Sequence, residues 1–165
     1  FLTNASWTPD LQSGWSISNW TPIYNINYFL VHMREAKGLS EATYNHYEGT
    51  ARFWRAWQYF EKVKTFGAVP WYDEPIDPED MVALYKPRDS REYVMERVLE
   101  DLNFACEHCY TSSDWINCAR INRYIALAYK ARVCLFEGTY RKYHSVDPST
   151  GKAWGEIPAR MRRGM

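Results

Sequence analysis

Three sets of side chains in this sequence could carry chemistry: tryptophans in polar stretches, a run of carboxylates, and two closely spaced cysteines. Trp7, Trp15 and Trp20 lie in or beside an N-terminal stretch rich in Ser, Thr, Asn, Asp and Gly. Trp71 and Tyr72 follow a Phe-Gly-Ala-Val-Pro segment. An indole or phenol ring offers a flat apolar face that stacks on a sugar ring, with a polar edge for its hydroxyls. Asn19 and Asn25 stand close by in sequence and could hold the same hydroxyls. The competing use of such rings is core packing, the usual fate of a tryptophan. Trp54 and Trp57, inside an apolar helical pattern, are read as core.

Asp73, Glu74, Asp77, Glu79 and Asp80 crowd into one proline-rich stretch. Glycoside hydrolysis needs two carboxylates at a set separation, one of them in an apolar setting that raises its pKa. A crowded, loop-borne run is instead read as a solvated acidic loop. Calcium is another use of such oxygens, but the spacing lacks the alternation of an EF-hand loop. Cys106 and Cys109 form a C-x-x-C. Zinc requires a second close pair of ligands, and Cys118 and Cys134 are far apart. A redox pair belongs at the start of a helix, where the dipole lowers the thiol pKa, whereas this one ends a helical pattern. The thiols are therefore read as small apolar side chains. His32, His46, His108 and His144 are scattered, and no G-x-S-x-G, phosphate loop or H-E-x-x-H occurs. No catalytic residue, metal site or cofactor is expected.

Composition narrows the classes further. The 165 residues carry 20 Lys+Arg against 20 Asp+Glu, which disfavours a general nucleic-acid binder or an anionic-membrane binder. At 46% hydrophobic and 24% charged the chain is expected to fold, and no apolar run is long enough to span a membrane. The aromatic share of 17%, with 8 Trp and 13 Tyr, again favours ring-stacking surfaces. The chain opens on Phe1 without a signal-peptide pattern and closes on a basic stretch, so it is read as a piece of a longer protein.

The elements that must position these residues are helices. Thr21 as cap and Pro22 at the first helical position predict a helix over about 20–37, with Ile23, Ile26, Leu30 and Met33 as its stripe and Gly38 closing it. Ser40 caps a second over 41–66, with a break possible near 45–47 and Gly67 ending it. Its stripe of Phe53, Ala56, Phe60 and Val63 is widened by Trp54, Trp57 and Tyr59, as in a helix buried between neighbours. Asp89 or Ser90 caps a third over 90–110, with Glu92 completing a capping box on Asp89. Asn122 caps a fourth over 122–137, with Tyr124, Leu127, Ala128, Ala131 and Leu135 as its inner face and Gly138 as its end. Segments 1–19, 68–88 and 145–165 read as mainly loop, and no strand pattern of useful length appears. The fold class is all-α: tetratricopeptide-like helical hairpins with long loops, in one domain over 1–165.

Four segments resemble the SusD/RagB family of glycan-binding outer-membrane lipoproteins. One is Trp20-x-x-x-Tyr24 leading to Phe29-Leu30. The most specific is Ala51-Arg52-Phe53-x-Arg55-Ala56, with Tyr59-Phe60 and the Phe66-Gly67-Ala68-Val69-Pro70 turn. A third runs from Arg88-Asp89-Ser90 to Asp101-Leu102 and Ala105. The fourth runs from Arg120 through Ala126, Ala128, Ala131, Arg132 and Val133 to Leu135-Phe136, with Arg123 where Lys is usual. They stand in the family's order over roughly 20–140.

The resemblance implies a non-catalytic, cell-surface protein. Such a protein captures oligosaccharides or polysaccharides and hands them to a SusC-like TonB-dependent transporter. It would reach the outer membrane through a lipid anchor upstream of this chain. The glycan-contact candidates are Trp7, Trp15, Asn19, Trp20, Trp71 and Tyr72. A tetratricopeptide-like scaffold for protein partners is the alternative, and a helical glycoside hydrolase a further one.

Overall fold

The computed structural model describes residues 15–77, 79–111 and 120–155. Among these, helices α1 (Ile17–His32), α2 (Glu41–Phe66), α3 (Met81–Leu84), α4 (Arg91–His108) and α5 (Arg123–Tyr143) carry the fold. A 3₁₀ turn, Met33–Glu35, extends α1. The only β pairing among the described residues is two isolated bridges. α1 packs on α2, α2 on α4, and α4 on α5, so two helical hairpins lie side by side. No described helix is long and apolar enough to cross a membrane.

Local signals place most boundaries. Ser40 accepts from the Thr43 N–H and Ser90 from the Tyr93 N–H, each removing one orphan donor of a first turn. Asn122 does the same for Ile125 N–H. Gly67 stops α2 at φ 72°, a conformation that costs a side-chain-bearing residue dearly. α2 runs unbroken through 45–47, because His46 there is buried against the ring of Tyr110, 4.1 Å away, and accepts the Tyr110 N–H at Nδ1. Gly49 faces α4 so closely that a Cβ would stand 3.0 Å from the Cys109 sulfur.

Trp54, read as core, stands 43% exposed on α2. Four further expectations are corrected. α1 begins at Ile17, not at Trp20, with Ser16 in the cap position; the Ser16 hydroxyl accepts from the Asn19 amide. Pro22 is therefore inside the helix, where its missing N–H leaves the Ser18 carbonyl without its usual donor. At α4, Ser90 is the cap, while Asp89 accepts the Trp71 N–H and pairs with Lys86. Glu92 turns away from a capping box, to Arg141 and the Gly155 N–H. The 68–88 loop contains α3, nucleated by Asp80, whose carboxylate accepts from Val82 and Ala83 N–H.

The last correction concerns α5. It passes through Gly138 to Tyr143, and the expected inner face looks outward: Leu135 is 73% exposed, and Tyr124, Leu127, Ala128 and Ala131 are also exposed. The buried stripe is Ala126, Val133 and Glu137, about half a helical turn away. Both faces are apolar enough to pack, so periodicity cannot choose between them. A buried ion pair chooses. Arg91 on α4 meets Glu137 at 2.8 Å, and Arg141 holds the other carboxylate oxygen at 2.9 Å. The Arg91 guanidinium also lies 3.7 Å from the Tyr140 ring centroid. These contacts straddle Gly138 and carry the helix past a residue that weakens helices by about 1 kcal/mol.

The core joins Phe53, Ala56, Tyr59, Phe60 and Val63 of α2 to Val94, Met95, Val98, Leu99, Leu102 and Ala105 of α4. A second buried ion pair crosses it: Arg55 grips both Asp101 oxygens, at 2.7 and 2.8 Å. Burial pushes the Asp101 carboxyl pKa up, and the Arg55 fork pulls against it.

Candidate functional site

The loop between α2 and α4 closes on itself before it can build a site. Val69 and Asp89 form one of the bridges, with the Asp89 N–H donating to the Val69 carbonyl at 3.2 Å. Lys86 donates to the Trp71 carbonyl at 3.1 Å and pairs with Asp89 at 2.8 Å. Along 69–72 the side chains alternate, as on an extended chain. Val69 and Trp71 enter the core, while Pro70 and Tyr72 face a cleft between the loop and α1.

That cleft has a volume of 510 Å³. α1 supplies Trp20, Thr21, Ile23, Tyr24 and Asn27, and Trp15 stands just before it. The loop supplies Pro70, Tyr72, Glu74 and Ile76, and α3 supplies Leu84. Trp15, Trp20 and Tyr72 make one aromatic wall: Trp15 meets Trp20 edge-on at 5.2 Å, and Trp20 meets Tyr72 at 6.1 Å. Edge-to-face contacts at these distances fix ring orientation. Trp15 is further held against Phe66 at 4.8 Å.

Two buried polar residues set the loop against the helices. Asn27 donates to the carbonyls of Tyr72 (2.8 Å) and Glu74 (3.2 Å), and its own oxygen accepts from Arg55 at 3.1 Å. The Tyr59 hydroxyl accepts the Tyr72 N–H at 2.7 Å; burial pushes that phenol's pKa up, which keeps its proton in place. The Tyr72 hydroxyl reaches the Ala83 carbonyl at 3.0 Å, so α3 is tied to the wall. Lys62 donates to the Asn19 carbonyl at 2.9 Å, beside the Pro22 interruption, with its ammonium 4.4 Å from the Trp20 ring centroid. Burial lowers the Lys62 pKa.

The structure thus brings three of the expected residues, Trp15, Trp20 and Tyr72, to one cleft. It separates others. Trp71 is 4% exposed, its ring 4.1 Å from Tyr59, so it offers no face to a ligand. Asn19 is engaged at the start of α1, and Asn25 is exposed away from the cleft lining. Trp7 lies outside the described residues. Sequence reasoning missed Asn27, Glu74, Ile76 and Leu84. Asn27 had a signal: it stands four residues after Ile23, a polar residue on the buried stripe of α1.

The acidic run divides as well. Asp80 caps α3, Asp77 accepts the Glu79 N–H at 2.9 Å, and only Glu74 lines the cleft. No group of three or more His, Cys, Asp or Glu side chains among the described residues is placed to hold a metal ion. Cys109 is buried at the end of α4, and burial pushes its thiol pKa up to about 11. Cys106 and Cys134 are shifted upward for the same reason. Among the described residues Cys106, Cys109 and Cys134 are free thiols.

Residues 4–135 match the SusD-like_3 family, described as "Starch-binding associating with outer membrane". The chain belongs to the SusD-like family. A SusD-like protein from Bacteroides fragilis is 29% identical, with a TM-score of 0.62 over 72% of this chain and 23% of its own. A laminarin-binding SusD-like protein shares the fold at 22% identity and a TM-score of 0.63, over 76% of this chain and 27% of its own. Surface glycan-binding protein A from Bacteroides fluxus does so at 24% identity and 0.58, over 78% and 28%. Among curated proteins none matches the sequence significantly.

This SusD-like chain thus spans about a quarter of the length of the solved structures it resembles. The fold is the helical, tetratricopeptide-like one of that family. Its shared motif residues act as scaffold in this structure. Arg55 clamps Asp101, Tyr59 and Phe60 fill the core, and Gly67-Ala68-Val69-Pro70 turns the chain into the cleft loop.

Proposed function

We propose that this chain is part of a non-catalytic, cell-surface glycan-binding protein. The carrying observation is the cleft walled by Trp15, Trp20 and Tyr72, on a chain whose family is described as starch-binding. A 510 Å³ cleft of aromatic rings with few polar groups has the size of a small-ligand site and suits the apolar faces of sugar rings. Hydrolysis would need a pair of carboxylates across the ligand, and among the described lining residues there is one. The chain reads as one partial SusD-like domain. The whole protein would sit at the outer membrane through a lipid anchor and pass captured oligosaccharides to a SusC-like TonB-dependent transporter, as the family resemblance implies.

Affinity electrophoresis of the chain through gels containing single polysaccharides tests this reading. Tyr24→Ala and Trp15→Ala serve as cleft variants, because Tyr24 is exposed and Trp15 only half-buried. Retardation by a polysaccharide, weakened in both variants, supports the cleft as the site. Unchanged retardation in both refutes the site. A folded chain that no polysaccharide retards refutes glycan binding by this chain.

A further inference from the structure

The charge around the cleft restricts what it can hold, an inference that rests on the glycan-binding reading above. Glu74 is the one charged residue among the described residues lining the cleft. It is exposed, and its backbone is fixed by Asn27, which donates to the Glu74 carbonyl. Three cations touch the wall rings without being lining residues: Lys62 at Trp20, Lys86 at Tyr72 and Arg88 at Trp15. Lys62 is bound to the Asn19 carbonyl, and Lys86 to Asp89 and the Trp71 carbonyl. Arg88 lies over the Trp15 ring, 4.8 Å from its centroid, and is not among the lining residues.

We propose that Glu74 sets the charge class of the ligand: the cleft takes neutral glycans and rejects chains bearing uronate or sulfate groups. Sugar hydroxyls are donors, and a carboxylate presents two acceptor oxygens that take adjacent hydroxyls in charge-assisted bonds. Beside an aromatic wall this pairs stacking of the ring face with capture of its equatorial edge. A ligand carboxylate in the same place meets a like charge, with no cation among the described lining residues to offset it. At a few ångströms, and with partial solvent screening, that repulsion weakens binding about tenfold.

The test runs two polysaccharide sets side by side at low salt. The neutral set is pullulan, laminarin, galactomannan and arabinoxylan; the anionic set is polygalacturonate, alginate and chondroitin sulfate. Wild type, Glu74→Gln and Glu74→Ala are compared, with folding checked by circular dichroism. Wild type is expected to be retarded by neutral chains alone. Carboxymethylation of the binding polysaccharide should weaken wild-type binding about tenfold. Glu74→Gln should narrow that gap, and Glu74→Ala should weaken binding to the parent glycan.

An anionic polysaccharide that retards wild type overturns the proposal, and so does a carboxymethylation penalty that persists in Glu74→Gln; both leave glycan binding standing. Retardation by an anionic chain that disappears in Arg88→Ala would assign charge selection to Arg88 instead. No retardation by either set refutes the glycan reading itself and this inference with it.

Discussion

Replacing Asp101 by Asn should be among the most damaging single changes in this chain. Asp101 is 2% exposed and is held by both forks of Arg55, with Arg52 a further 3.6 Å away. The amide keeps the shape of the carboxylate and removes its charge. Arg55 would then be a buried cation with neutral acceptors alone: the new amide oxygen, the Asn27 side-chain oxygen and the Asp73 carbonyl. Leaving one partner of a buried ion pair uncompensated costs about 3–5 kcal/mol. For a chain of this length each kcal/mol moves the melting midpoint by roughly 2–4 °C, so a fall of about 6–20 °C is expected. Urea unfolding followed by far-ultraviolet circular dichroism gives the free energy directly. The Arg55→Met, Asp101→Leu double variant should lose less than the two single changes added together, because it removes both charges. A loss under about 1 kcal/mol for Asp101→Asn would refute the reasoning, since that is the size of a solvated surface pair.

Three further outcomes follow from particular contacts. Burial lowers the His46 pKa below its unfolded value of 6.5, so the unfolded chain binds the extra proton. Stability is then full above about pH 6.5 and falls as pH drops below it; urea midpoints measured across that range should show the slope, and His46→Gln should reduce it. Gly67→Ala meets no steric contact, yet φ 72° disfavours any Cβ, so a loss of about 1–3 kcal/mol is expected in the same unfolding assay. On α5, Val133→Ala should cost about 1.5 kcal/mol for two buried carbon groups, while Leu135→Gln should stay within about 0.5 kcal/mol. A larger loss at 135 than at 133 would mean that the helix presents its other face.

Much of this protein was determined by its sequence alone. Ser40, Ser90 and Asn122 fix helix starts because a side-chain oxygen satisfies an orphan N–H within its own turn. Gly67 fixes a stop because only its own backbone must adopt the conformation. The family motifs are legible for a related reason, as Arg55, Tyr59 and the Gly67-to-Pro70 turn hold the scaffold of this chain.

Tertiary structure decided the rest. α5 has two apolar faces, and the Arg91–Glu137 pair, 46 residues apart in sequence, selects one. Pro22 marks a helix start locally, yet Ser16 and the packing of Trp20 on α2 and the loop carry α1 back past it. The cleft itself was only half legible. Ring types pointed to Trp15, Trp20 and Tyr72, but which neighbour faces inward at 71 and 72 depends on where the Val69–Asp89 bridge anchors the loop. Glu74 became a cleft residue only where Asn27 pins the chain at 72–74, whereas Asp77 and Asp80 accept from N–H groups in their own turns. Contacts between residues close in sequence can be read from residue types, whereas those that join distant segments depend on packing that no local pattern contains.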